Sequence, residues 1–192
     1  ACEIEIEILK EPIGYQDQWA SALGGANVIR FSGKHVTVES VGLGATDIAR
    51  LESTLHLVPV GPPRSASDLL AKQGGTVTSG SEGEEITRRM VALVSQGQQA
   101  LLTNMDDIGH LLDEAWQLKR SIADGVSNPE VDEMYTRGLD AGATGGKLLG
   151  AGGSGYLAFY VPQAHHERFS AQLPKRLGFR ISMQGAGIIH ES

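Results

Sequence analysis

Residues 142–155 read GATGGKLLGAGGSG, seven glycines in fourteen positions, and they run straight into Tyr156–Val161, an aromatic and aliphatic stretch. Few folds tolerate so much backbone freedom beside a core strand. Glycine admits positive φ and lets another chain segment or a ligand come close to the backbone. A row of free backbone N–H groups can also cradle an anion. Gly150, Gly152 and Gly155 spell G-x-G-x-x-G, but a dinucleotide loop follows a strand and opens a helix. Here a helix is expected before the cluster and a strand after it, so that reading is rejected. A phosphate-binding P-loop fails as well, because Ala141 and Leu148 stand where it needs Gly and Ser or Thr. Two readings remain: a phosphate-associated loop, or a tight, closely packed turn, which accounts for one or two of the glycines.

The rest of the chain narrows the fold. Residues 1–11 alternate Glu and Ile, and a helix is favoured because Glu is a good helix former and a poor strand former. Pro12 and Gly14 stop it. Asp17–Leu23 is a short helix. Asn27–Phe31 and His35–Val41 alternate around Ser32-Gly33-Lys34, a β-hairpin pattern. Leu55–Val60 is a strand, broken by Gly61-Pro62-Pro63. Ser65 caps a helix over Ala66–Gln73, and Gly74–Gly83 is a surface loop. Glu84–Thr103 and Asp106–Ala123 are amphipathic helices. Pro129 starts another, running to about Ala141, since Pro suits the first helical turn. Ala164–Leu173 is a helix, Gly178–Met183 a strand, and Gly187–His190 the last strand. This order predicts an α+β protein with an antiparallel sheet.

Composition limits the functions open to such a chain. Its 192 residues carry a net charge of −7, which disfavours nucleic-acid and anionic-membrane partners. No apolar run reaches the roughly 18 residues that a membrane span needs. Cys2 is the single cysteine, so no internal disulfide forms, and a cytoplasmic location is expected. Cys2 itself is expected to be a small buried residue. His165-His166 point different ways on a helix and are read as solvated surface, as His110 is read as a helix-face residue. Trp19 is placed either at a ligand pocket or in the core.

One further spacing bears on chemistry. Glu5 lies on the first helix and Asp17 just beyond the Pro12/Gly14 turn. Such a turn can fold the aspartate back beside the glutamate, and two carboxylates suit a divalent cation plus a general base. The same spacing also fits a solvated glutamate and an aspartate that caps a helix.

Two segments tie these features together. PIGYQDQWASALGG (12–25) resembles the segment of GHMP-family sugar kinases that carries the catalytic aspartate, and GGKLLGAGGSGYLAFY (145–160) resembles the third motif of that family. PVGPPRSASDLLAKQ (59–73) and NPEVDEMYTRGLDAGATGGKLLGAGGSG (128–155) are most similar to the branch that phosphorylates the anomeric hydroxyl of heptose 7-phosphate. The resemblance covers nearly the whole chain. It implies a small-molecule sugar phosphate as substrate, with ATP and Mg²⁺ as cofactors. Position by position, it implies Asp17 as catalytic base and Glu5 as magnesium ligand. It further implies that Gly150, Gly152, Gly153 and Gly155, with Lys147 near by, face the nucleotide phosphates. Gly14 and Gln16 go to the sugar, and Arg64 to its distal phosphate, since arginine suits bidentate phosphate contact.

The implied layout is the tail of an N-terminal domain over residues 1–52, then a ferredoxin-like C-terminal domain over 53–192. The family's first motif and its second, the main ATP loop, are not found, and Pro62-Pro63 is a departure from this branch. The chain is therefore expected to be the C-terminal portion of such a kinase, inactive alone, with a homodimer or a missing N-terminal half as partner. Another anomeric sugar kinase, or a non-catalytic sugar- or partner-binding fragment, is the alternative.

Overall fold

The computed structural model describes residues 2–11, 13–33, 35–61, 80–122, 125–150 and 152–187. After an N-terminal helical segment, Glu3–Ile8, come α1 (Gln16–Leu23), β1 (Asn27–Ser32), β2 (His35–Ser40), α2 (Ala45–Thr54) and β3 (Leu55–Val60). Then follow α3 (Ser81–Thr103), α4 (Asp107–Ile122), α5 (Pro129–Asp140), β4 (Gly145–Leu148), β5 (Gly155–Tyr160) and α6 (His166–Gln172). The described strands form two antiparallel sheets, the hairpin β1–β2 and a three-stranded sheet in the order β3-β5-β4. The predicted α+β class with an antiparallel sheet is what the chain adopts.

β5 is the centre of the larger sheet because both faces of its sequence GYLAFY can be buried. Side chains alternate along a strand. Leu157 and Phe159 therefore join Trp116, Val131, Leu148 and Phe169 in the main core, while Tyr160 meets Leu51 and Met105 in a second cluster. Tyr135 stacks on Phe159 at 5.7 Å between ring centres, which fixes α5 against the sheet. The Tyr160 hydroxyl donates to Asp106 (2.8 Å), and Arg50 pairs with the same carboxylate (2.9 Å). Those contacts bind α2 and the α3–α4 turn to one end of β5.

Several expectations need correction. Ala45–Thr54 was not anticipated as a helix, yet the backbone N–H of Gly44 donates to Asp47 Oδ2 (3.1 Å) and closes its first turn. Ser81–Gly83, expected in a loop, are the first turn of α3, where Glu82 and Glu84 suit the positive end of the helix. The cluster at 142–155 is not one loop, because Gly145–Leu148 is a strand. Gly178–Met183 is not a strand: Leu177 alone bridges to Leu57, its N–H donating to the Leu57 carbonyl at 2.8 Å. In this antiparallel register the residues after Leu177 run past the start of β3 at Leu55, where α2 ends, and Gly178 weakens the segment further, so pairing stops there. His166 is not solvated, since its Nε2–H donates to the Val161 carbonyl (2.9 Å) and its ring meets His56 edge-on at 5.0 Å. Cys2 is half-buried rather than buried. The helix expected over 66–73 lies outside the described residues, as does most of the last expected strand.

His56 makes folding sensitive to acid. Its Nε2 is buried without a partner, with Phe169 on one side and His166 on another. Burial, reinforced by the neighbouring His166 and Arg176, pushes its pKa down to about 4. The unfolded chain takes up this proton near 6.5 and the folded chain only near 4. The His56 contribution is therefore complete above pH 6.5 and is lost as pH falls from there towards 4, by on the order of 1–2 kcal/mol after solvent screening of the half-exposed ring. Urea midpoints measured between pH 7 and 4.5 should fall, and His56→Phe should remove most of that slope.

Candidate functional site

The first part of the site is built by the N-terminal helical segment and α1. The segment is wound more widely than an α-helix, with Leu9 N–H donating to Ile4 O (2.9 Å). Ile4, Ile8 and Leu9 share one face but stay exposed, so no buried apolar contact holds the segment in α-helical geometry, and wide turns of this kind recur at functional sites. The chain then turns back at Gly14, and α1 begins at Gln16. Its first turn comes to Glu5: Gln18 Nε2 donates to Glu5 Oε2 at 2.7 Å.

The residue of this turn that reaches Glu5 is Gln18, not Asp17. Glu5 is half-buried, and Asp17 is exposed one residue before Gln18, with no described residue donating to its carboxylate. Gly14 and Gln16 are exposed in the same turn, and no described atom comes within 4 Å of where a Gly14 Cβ would lie. Trp19 is half-buried. Residue reasoning missed Gln18, although it follows Asp17 directly. Its Oε1 is buried with no partner.

The C-terminal segment straps α1 in place. Gly25 N–H donates to Ser182 O (2.7 Å) and Ala186 N–H to Ser21 O (3.0 Å). A Cβ at Gly24 would come within 2.5 Å of the Gln184 backbone, so the two segments touch main chain to main chain. The helix that carries Asp17 is therefore aimed by residues 182–186, at the far end of the sequence.

The second part is the turn between β4 and β5. Leu149 N–H donates to Tyr156 O and Gly153 N–H to Val126 O, both at 2.9 Å. Gly152 sits at φ +118°, and a Cβ there would meet the Val126 carbonyl at 2.9 Å. Asn128 holds the turn from outside. Its Oδ1 accepts from Val131 N (3.0 Å), capping α5, while its Nδ2 donates to Gly153 O (2.6 Å). Asn128→Ala should therefore cost about 1–2 kcal/mol in chemical denaturation and speed amide exchange at Gly153. Lys147 lies half-buried on β4, and Lys119 Nζ on α4 donates to Gly150 O (2.6 Å). Burial lowers the pKa of both lysines, and that of Lys119 further because Lys147 is near.

No hydrogen bond or ion pair among the described residues joins the Glu5–Gln18 pair to this turn. Nor do three metal-ligating side chains converge among them. Glu5 fits a magnesium site in part: Mg²⁺ takes one or two protein carboxylates and completes its shell with phosphates and water. One Glu5 oxygen is held by Gln18, which leaves the other to bind. Arg64 lies outside the described residues.

Comparison with known proteins gives this geometry its context. The chain is 27% identical over 180 residues to D-glycero-alpha-D-manno-heptose 7-phosphate kinase of Campylobacter jejuni, covering 93% of this chain and 53% of that protein. It is 28% identical over 161 residues to the bifunctional fucokinase/GDP-fucose pyrophosphorylase of Arabidopsis thaliana, covering 78% of this chain and 15% of that one. A D-glycero-D-manno-heptose 1-phosphate kinase from Bacteriodes thetaiotaomicron superimposes with a TM-score of 0.64 at 23% identity, over 96% of this chain and 51% of that one. An L. major mevalonate kinase in complex with R-mevalonate does so at 0.63 and 19%, over 90% and 53%. The chain thus spans about half the length of the heptose and mevalonate kinases and a smaller part of the bifunctional protein. Residues 92–187 match the profile of the C-terminal domain of GHMP kinases, and they hold α4, the β4–β5 turn and the strap on α1. The chain belongs to the GHMP kinase family.

Proposed function

We propose that this chain carries the catalytic base and one metal carboxylate of an ATP- and Mg²⁺-dependent kinase. The kinase phosphorylates the anomeric hydroxyl of a sugar phosphate, with heptose 7-phosphate as the substrate. The observation that carries this reading is the return of the first turn of α1 onto Glu5 through Gln18, in a chain of the GHMP family. In this reading Asp17 accepts the proton of the sugar hydroxyl as that oxygen bonds to the γ-phosphorus and ADP leaves. Bound Mg²⁺ would neutralise charge on the β- and γ-phosphates. Glu5 offers it a carboxylate held in one orientation, and the exposed Gly14 and Gln16 border the sugar. Gly150, Gly152, Gly153, Gly155 and Lys147 face the nucleotide phosphates. Arg64 is assigned to the distal phosphate on its chemistry alone. Phosphoryl transfer depends mostly on positioning and charge stabilisation, which is what a strapped helix and a pinned turn supply.

The division at residue 52 is supported by β3, which pairs with β5 and so belongs with residues 53–192. α2 crosses that boundary, and its Leu51 packs on Tyr160 while Arg50 pairs with Asp106, so these contacts favour a division before α2. Ile4, Ile8, Leu9, Phe31 and Val38 are exposed, a surface suited to a second copy or to another kinase domain. A cytoplasmic setting is part of the proposal and rests on the single cysteine. The similarity to the Arabidopsis fucokinase favours a second reading, an anomeric kinase for a non-phosphorylated sugar.

The test is ADP release with Mg-ATP, comparing heptose 7-phosphate with fucose. It should be run on this chain alone and on a polypeptide of the relatives' full length. Activity with heptose 7-phosphate at full length is expected. Turnover of fucose alone selects the second reading, and inactivity at full length with both sugars leaves a non-catalytic binding fragment.

A further inference from the structure

Glu52 is a carboxylate that the proposed chemistry leaves unused, yet the fold keeps it from solvent. It lies in the last turn of α2, and its side chain is 14% exposed. It borders an apolar groove lined by Leu43, Ile48, Ala49 and Met183. A carboxylate drawn out of water needs donors. Glu52 has two, and both belong to the segment that straps α1. Its Oε1 accepts from Ile181 N–H at 2.7 Å, and its Oε2 lies 3.6 Å from Arg180 Nη1. Arg180 is 91% exposed, so the ion pair contributes little and the amide bond is the anchor. The strap depends on such an anchor, because residues 178–183 form no strand and Leu177 bridges singly to β3. Directly after Ile181 come its contacts with α1 and the start of β1: Ser182 O accepts from Gly25 N–H, and Ala186 N–H donates to Ser21 O. Leu51 and Arg50, the two residues before Glu52, fix α2 to Tyr160 and Asp106, so Glu52 reaches the strap from a rigid frame.

We infer that Glu52 is a positioning residue for the phosphoryl transfer. By holding Ile181 it fixes the strap, and through the strap it sets the orientation of α1 and of the Asp17 carboxylate. It acts through these contacts and not by meeting the substrate. A reacting group misplaced by about 1 Å can cost about 10²-fold in rate, so a loosened strap is felt in turnover. The inference deepens the proposed function and rests on Asp17 as the base, but the hold on α1 is measurable without activity.

The test combines amide exchange on the 192-residue chain with steady-state kinetics on a polypeptide of the relatives' full length. Glu52→Met keeps the length and helix preference of the side chain but removes the acceptor. It should speed exchange at Gly25 and Ala186 by at least about tenfold. It should also lower kcat by at least about tenfold and leave KM for ATP within about threefold. Glu52→Gln, whose carbonyl still accepts from Ile181, should stay within about threefold of the parent in both measurements, and so should Arg180→Ala. Gly185→Ala drives a Cβ into the Ala22 carbonyl and should reproduce the Glu52→Met pattern with Glu52 in place. Circular dichroism shows that each variant is folded, and Glu52→Ala repeats the test if the methionine variant is not. Unchanged exchange at Gly25 and Ala186 in the folded Glu52→Met chain overturns the inference. An equal loss in Glu52→Gln overturns it too, since the acceptor would then be irrelevant. A lower melting temperature with unchanged kcat per folded molecule leaves Glu52 a stabilising residue alone and also overturns it. If the parent polypeptide is inactive at full length, the proposed function fails by itself, and the exchange pattern decides whether Glu52 holds α1.

Discussion

Asp17→Asn, placed in a polypeptide of the relatives' full length, should lower turnover by about 10²–10⁴-fold and leave ATP binding nearly unchanged. The two side chains are nearly isosteric, so the first turn of α1 keeps its shape. What disappears is the capacity to accept a proton from the attacking hydroxyl. Asp17 is exposed and no described residue donates to its carboxylate, so its removal breaks no internal contact. A fall in kcat with little change in KM for ATP is therefore the signature of a lost base. A stability loss would instead lower the active fraction and show in thermal unfolding. An unchanged kcat would remove Asp17 from the mechanism. Gln18→Leu provides the companion measurement: it frees Glu5 from its 2.7 Å partner and should raise the Mg²⁺ concentration needed for half-maximal rate.

Gly145→Val should cost at least about 3–4 kcal/mol, measured by urea unfolding, because there is nowhere for the side chain to go. A Cβ at 145 would run into the Gly109 carbonyl of α4 and lie 3.0 Å from Asp113 Cβ. At the next position a Cβ would meet the Ala158 carbonyl at 2.6 Å. Both obstacles include backbone held by helix or sheet hydrogen bonds, which cannot rotate aside as a side chain can. Gly150→Ala is the informative contrast. Its surroundings are open but its φ is +79°, so the cost is conformational alone, about 1 kcal/mol. If the two substitutions cost the same, α4 does not pack against β4 as closely as described.

The two glycines also show why the cluster could be only half understood from residues. Seven glycines in fourteen positions point to unusual backbone, and that was legible. Which glycines serve a turn and which serve a close approach was not. Gly145 and Gly146 are strand residues with no room for a side chain, and that depends on α4, distant in sequence, and on the β5 strand that pairs with β4. A glycine-rich strand has none of the β-branched or aromatic residues that announce a strand, so β4 was hidden inside a presumed loop. The α2 helix was missed for a related reason: its cap is a glycine, which carries no side-chain signal.

The carboxylate site divides the same way. A turn that returns Asp17 towards Glu5 follows from Pro12 and Gly14, and the family motif places the same residues there. The contact belongs to Gln18, thirteen residues from Glu5, and no local pattern distinguishes it from Gln16 two positions earlier.

By itself the sequence determined the α+β class, the family, the strand at Leu55–Val60 and the helix that opens at Pro129. Each rests on local signals: period, proline position and a short motif. Only the tertiary structure decided that Glu5 is held by Gln18, that Lys119 reaches Gly150 across 31 residues, and that residues 182–186 strap α1. Those facts depend on which distant segments share a surface. Packing of the whole chain settles that, because a single hydrogen bond between remote residues leaves no periodic trace in the sequence.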